Sequence, residues 1–217
     1  MQALKVPTRL PVAIAIVLNL IPIVGVLFWG WSAFALIFLY WLENVVIGAR
    51  TLASMAANAV LAGGLNAVGA LFFGAFFSFH YGLFCFVHGT FVVSLFGGGF
   101  AGDDMFDLMK TAQDLFASEP NLLIGFASIV LWQVVQFVLF VARGEAKATN
   151  PLALMAAPYP RIIVLHLAII FGGFLLMALN QPVAGILVLA LVKMGFDVAE
   201  AMGKGPRFGA GAPASAG

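Results

Sequence analysis

Charge is what this sequence has least of. Asp, Glu, Lys and Arg make up 9% of its 217 residues, against a hydrophobic share of 63% and a mean hydropathy of +1.10. An ordinary soluble domain carries roughly 25% charge, so the deficit excludes a soluble chain and identifies an integral membrane protein. The net charge of +1 supplies no basic patch for nucleic acid and no acidic surface for a cationic partner. The lipid bilayer is the expected partner, nucleic acid is excluded, and a homo-oligomer stays open. Cysteine is nearly absent too. The lone Cys85 lies in an apolar run, which rules out a disulfide framework and a Cys-based zinc site; any metal must be held by nitrogen and oxygen. Neither an H-E-x-x-H element nor a G-x-S-x-G element occurs, so the familiar hydrolase templates do not apply.

What is present is a succession of long apolar runs. A chain of this length has room for about six spans of about 20 residues. Hydropathy windows predict helices near 11–31, 33–55, 68–96, 121–142, 161–180 and 182–199. The expected fold is therefore all-α, a polytopic membrane bundle forming one domain over 1–203, with a flexible Gly/Pro/Ala-rich tail over 204–217. Lys5 and Arg9 ahead of the first run imitate a secretory signal, but the run is about 20 residues, longer than a typical h-region, with no small-residue cleavage site after it. It reads as a retained span. The short Trp29-Gly30-Trp31 connection predicts an antiparallel pair of spans with both tryptophans at a membrane interface. Asn180-Gln181-Pro182 is the other short turn. The long loop GGGFAGDDMFDLMKTAQDLFASEPN sets Asp103, Asp104, Asp107, Asp114 and Glu119 against Lys110, and its middle is expected to form a short amphipathic helix on the surface.

The distribution of Lys and Arg orients the chain. Lys5, Arg9, Arg50, Arg143, Lys147, Arg161, Lys204 and Arg207 fall on one side of a six-span arrangement, and essentially only Lys110 on the other. Both termini are thus expected in the cytoplasm and the acidic loop outside, in a multi-pass protein of the cell inner membrane. No inverted repeat is evident, which weakens a repeat-built transporter.

Against this background the polar residues at membrane depth are few: Glu43, Asn44, His80, His88, Gln133, Gln136, His166, Lys193 and Asp197. An ionisable side chain there costs about 2.5–3.5 kcal/mol even on the lenient insertion scale, so each is expected to face the bundle interior with a partner. The stretch HYGLFCFVHG over 80–89 carries two of the three histidines. Eight residues separate them, about 12 Å of rise and about 80° of azimuth, which argues against both holding one small ion. Depth counted from Arg50 and Arg161 predicts an inner cluster of Glu43, His80, His166 and Asp197 with Lys193 at its edge, and places His88 nearer the outer face, as the ligand of a second metal site or as a gate to the first. Imidazoles with carboxylates suit a divalent transition metal such as zinc, iron or copper, with Asp197 as a ligand or as the group orienting an imidazole. Plainer roles compete. A single intramembrane His can bridge helices by hydrogen bonding, and Lys193 and Asp197 are spaced i,i+4 for a local ion pair. Tyr159 and Arg161 read as an interfacial anchor, Arg161 holding an anionic headgroup being the sharper alternative. The phenylalanines over 72–100 read as packing and lipid-facing surface, and Gly82, Gly89, Gly172 and Gly173 as points of close helix approach.

YWLENVVIGAR, HYGLFCFVHGTFV, APYPRIIVLHLAIIFGG and LVKMGFDV, in this order across 33–199, together resemble an uncharacterised prokaryotic family of polytopic membrane proteins, a domain of unknown function. The resemblance marks Glu43, Asn44, His80, His88, Arg161, His166, Lys193 and Asp197 as the matching polar positions and implies no activity. The family pattern reads PYGR where this chain has Pro158-Tyr159-Pro160-Arg161. Three functions stay in play: a membrane metalloprotein, as an enzyme with a Glu or Asp as base; a metal-ion or proton transporter or channel, with Asn44, Arg161 and Lys193 along its path or orienting its ligands and Gln133 and Gln136 contributing; and a haem protein ligated by two imidazoles, for instance His80 and His166.

Overall fold

The computed structural model describes residues 9–98 and 107–160 and, beyond them, positions 162, 163, 166, 167, 170, 191, 194, 195, 198 and 202. Arg161, Lys193, Asp197, most of the expected fifth and sixth spans and the 204–217 tail lie outside the described residues. Within them every element is helical: α1 (Arg9–Phe28), α2 (Ala33–Ala62), α3 (Gly64–Phe96), α4 (Leu108–Ser118), α5 (Leu122–Ala142), α6 (Glu145–Ala148) and α7 (Pro151–Ala156). Among the described residues, α2, α3 and α5 are long and apolar enough to cross a membrane.

The start of α2 is fixed by Ser32. Its hydroxyl oxygen accepts from the Ala35 N–H at 3.1 Å and the same hydroxyl donates to Glu119 Oε1 at 2.8 Å, which satisfies a helix-end donor and ties that end to the segment entering α5. Both α2 and α3 overrun the expected spans, because no charged residue occurs from Thr51 to Gly102 and nothing breaks the helices before Gly63 and Gly64. Those two glycines take φ of +63° and +54°, a conformation that glycine adopts without strain, and turn the chain back on itself.

Cross-helix bonds set the register. Trp41 Nε1–H donates to the Cys85 carbonyl at 2.8 Å and the Tyr81 hydroxyl to the Asn44 carbonyl at 2.7 Å, so α3 returns antiparallel along α2. Ser32 meets Glu119 and Asn58 Nδ2 donates to the Ala146 and Thr149 carbonyls at 2.8 and 3.0 Å, so α5 runs parallel to α2. The 21 residues of α5 span about 32 Å, which matches a hydrocarbon core of about 30 Å. The α2–α3 hairpin is longer, and its turn projects past the end of α5. There α6 and α7 brace it: Pro151 packs at Gly69, and Asn150 caps α7 by accepting from the Ala153 N–H at 2.9 Å.

Two observations change the expected picture of the opposite end. Helix α4 is present, capped by Asp107 accepting from the Lys110 N–H at 2.8 Å. It is not merely laid on the surface, however, because Thr111 and Leu115 are buried and Leu108, Ala112 and Phe116 pack on the main core. It covers the bundle end. Trp29 is exposed as an interfacial residue would be, but Trp31 is buried against Gly25 and Gly125 and belongs to the core.

In a bilayer the lipid tails are as apolar as the core, so van der Waals packing and interhelical hydrogen bonds must hold the helices together. Glycines permit the closest contacts. The Tyr81 ring lies over Gly48, Trp41 over Gly89 and Trp31 over Gly125. Gly82, expected to serve the same purpose, faces open space, while Gly172 and Gly173 lie outside the described residues.

Candidate functional site

Residues 80, 84 and 88 of α3 follow one another at i,i+4 and form a single stripe. The chain that follows α7 runs beside it. Tyr159 stands level with His80, with ring centroids 6.2 Å apart, and His166 level with His88, with centroids 4.4 Å apart. The two partners advance together along the chain, so this segment is parallel to α3. The two imidazoles meet edge to face at 77°, with Nδ1 of His166 3.4 Å from Nδ1 of His88. His88 is buried and His166 half-buried. Phe84 closes on both, its ring centroid 5.7 Å from each, and so confines the pair on the side facing His80.

A groove of about 160 Å³ lies between the segment and α3. Tyr81, Phe84 and Ile162 form its inner wall, His80, Tyr159, Ile163 and Leu167 its rim, and His166 its end nearest His88. His80 is exposed, stacked on Phe76 with centroids 5.4 Å apart and planes within 9°. Its ring nitrogens make no hydrogen bond to a described residue.

This arrangement corrects the expected inner cluster. His166 joins His88, which the depth count had set apart near the outer face, and His80 stands at the groove rim. The reason is the level at which the fifth segment begins. Tyr159 enters beside His80 and not beside the start of α3, so seven residues further on His166 meets the histidine eight residues further on. Glu43 and Asn44 are buried on α2; the Asn44 carbonyl accepts from Tyr81, whereas its side-chain amide has no hydrogen-bond partner among the described residues. The offsets of 87 and 88 between paired residues of α2 and of the stretch around α5 bring buried Gln133 within about one turn of them along the bundle axis. Gln136 is half-buried one turn beyond. Among the described residues no three His, Cys, Asp or Glu side chains form a group that could hold a metal ion, so neither Glu43 nor His80 completes a cluster with the histidine pair. Arg161, Lys193 and Asp197 lie outside the described residues.

The haem arrangement does not fit this geometry. Two axial imidazoles stand on opposite faces of a macrocycle, whereas His88 and His166 are in direct ring contact, so these two cannot be the axial pair of one haem. Sequence reasoning also missed Phe84, Tyr81 and Ile162 as parts of the site. The i,i+4 spacing of His80, Phe84 and His88 was the available signal.

Two of the four motif stretches, HYGLFCFVHGTFV and the stretch beginning APYPRII, thus build the groove from opposite sides. The chain belongs to DUF6498, a family of unknown function. The match covers residues 1–207 and therefore both walls of the DUF6498 groove. No curated protein and no solved structure matches the chain.

Proposed function

We propose that the protein is a multi-pass membrane protein whose His88–His166 pair binds a divalent transition metal, at the end of the groove that His166 lines. The separation of the two Nδ1 atoms carries this reading. Two nitrogens bound to one tetrahedral zinc at 2.0–2.1 Å stand about 3.3–3.4 Å apart, and the two imidazoles stand 3.4 Å apart. Zinc, iron and copper all accept imidazole ligands. Among the described residues two side chains would hold the ion, and a catalytic zinc site keeps one position for water or substrate beside three protein ligands, so an enzyme is compatible with a pair completed by one further ligand. Glu43 and Asn44 then serve a separate polar cluster on α2.

Elemental analysis of protein purified without chelator tests the proposal, with about one transition-metal ion per chain expected. Metal at background would overturn it. A second reading follows from the same contact. A distance of 3.4 Å also admits an N–H···N hydrogen bond, so a metal-free pair could pass a proton between two imidazoles within the membrane; metal at background would favour it. The sidedness proposed from the Lys and Arg distribution has its own check: a reporter fused at Lys110 is expected to read as extracytoplasmic, and a cytoplasmic reading would invert the bundle.

A further inference from the structure

Five of the eight residues lining the groove carry flat rings: His80, Tyr81, Phe84, Tyr159 and His166. A histidine pair alone does not require this. We propose that the groove binds the head of a bilayer-dissolved quinone-class amphiphile, a planar carbonyl-bearing ring with an aliphatic tail. The inference shares the groove of the proposed metal site but does not rest on the metal.

Three features select that ligand. The mouth opens toward hydrocarbon: Ile163 and Leu167 at the rim are 58% and 47% exposed, and the neighbouring flank of α3 presents exposed Phe79 and Leu83, in a stretch from Thr51 to Gly102 without a charged residue. A ligand therefore arrives from the lipid and not from water. The ring-rich lining favours a flat head, because aromatic groups pack best in offset-stacked or edge-to-face arrangements. The polar atoms call for hydrogen-bond acceptors. His80 and Tyr159 both line the rim and offer an imidazole N–H and a hydroxyl there, and a donor in an apolar medium gains from an acceptor. A ring carbonyl answers the Tyr159 hydroxyl or an imidazole N–H. Beyond the head, Ile163, Leu167 and Ile170 lie at i, i+4 and i+7, all exposed, and form an apolar stripe along which the tail can lie.

The test uses the full chain in lipid nanodiscs after chelator treatment, so that the metal question does not enter, and a radiolabelled 1,4-benzoquinone bearing a decyl chain as the probe. Saturable uptake approaching about one probe per chain is expected, with excess 1-decanol failing to displace it. Filling the mouth with Ile163→Trp is expected to weaken binding by about 10-fold or more, and Tyr159→Phe by about 3- to 10-fold through loss of the hydroxyl donor. Leu167→Phe, which narrows the same mouth, serves if Ile163→Trp does not fold. Uptake that stays linear, that decanol displaces as well as the quinone does, or that is unchanged in the mouth-filling variant would overturn the proposal.

Discussion

A Gly89→Leu chain is expected to lose most of its folded bundle at a detergent or denaturant level that leaves Gly82→Leu intact, although both glycines lie on α3. A Cβ at Gly89 would stand 2.6 and 2.7 Å from two Trp41 ring carbons and 2.8 Å from a Leu108 methyl. The indole cannot simply swing aside. Its N–H is bonded to the Cys85 carbonyl and its ring packs on Phe38 with centroids 5.0 Å apart. Leu108 belongs to α4, so relief on that side would lift the helix that covers the bundle end. Replacing glycine in a helix gains about 1 kcal/mol of propensity, whereas overpacking a filled site costs about 1–3 kcal/mol for added methylenes. Alanine already places the clashing Cβ there, so its helix propensity offsets only part of the cost. A leucine brings three more carbons into the same space, and the steric cost wins by several kcal/mol. At Gly82 nothing lies within 4 Å, so the substitution there is expected to be neutral or slightly stabilising. Equal unfolding midpoints for the two variants would show that α2 and α3 do not approach at Trp41 and Gly89.

The contrast between these two glycines shows where sequence reading stops. The membrane class, the helical fold, the positions of α1, α2, α3 and α5 and the amphipathic α4 follow from composition and hydropathy, because the bilayer demands long apolar helices with satisfied backbones. Which glycine is a contact does not follow, since both sit in the same apolar run and only helix rotation separates them. Trp31 was misread for a related reason: a tryptophan beside a turn looks interfacial until Gly25 and Gly125 are known to make a slot for it. The candidate residues stood out as a set, because histidines are costly in hydrocarbon. Their pairing did not. It depends on the level at which the fifth segment meets α3, which follows the packing of α6 and α7 against the α2–α3 hairpin through Asn58 and Gly69 and not any local pattern around the histidines.

That pairing makes the three histidines respond differently. His88→Ala and His166→Ala are each expected to reduce the bound metal from about one ion per chain to background, since each removes one of the two ligands proposed among the described residues, while groups that merely orient a ligand typically change affinity about 10- to 100-fold. His80→Ala is expected to retain the metal, because its ring lies at the groove rim, stacked on Phe76. The same three proteins should separate on stability as well. Exposed His80 can be truncated with little effect. Removing His88, which is 4% exposed and wedged beside Phe84, opens a cavity and leaves His166 without its neighbour, a loss of about 1–3 kcal/mol apart from any metal. A His88→Gln variant keeps a polar side chain in that space and distinguishes the two effects: restored stability with no metal identifies His88 as a ligand, whereas metal bound as tightly as before assigns the ion elsewhere. Metal lost on His80→Ala and kept on His88→Ala would return the site to the Glu43 side of the bundle, and the contact between the two imidazoles would then be packing alone.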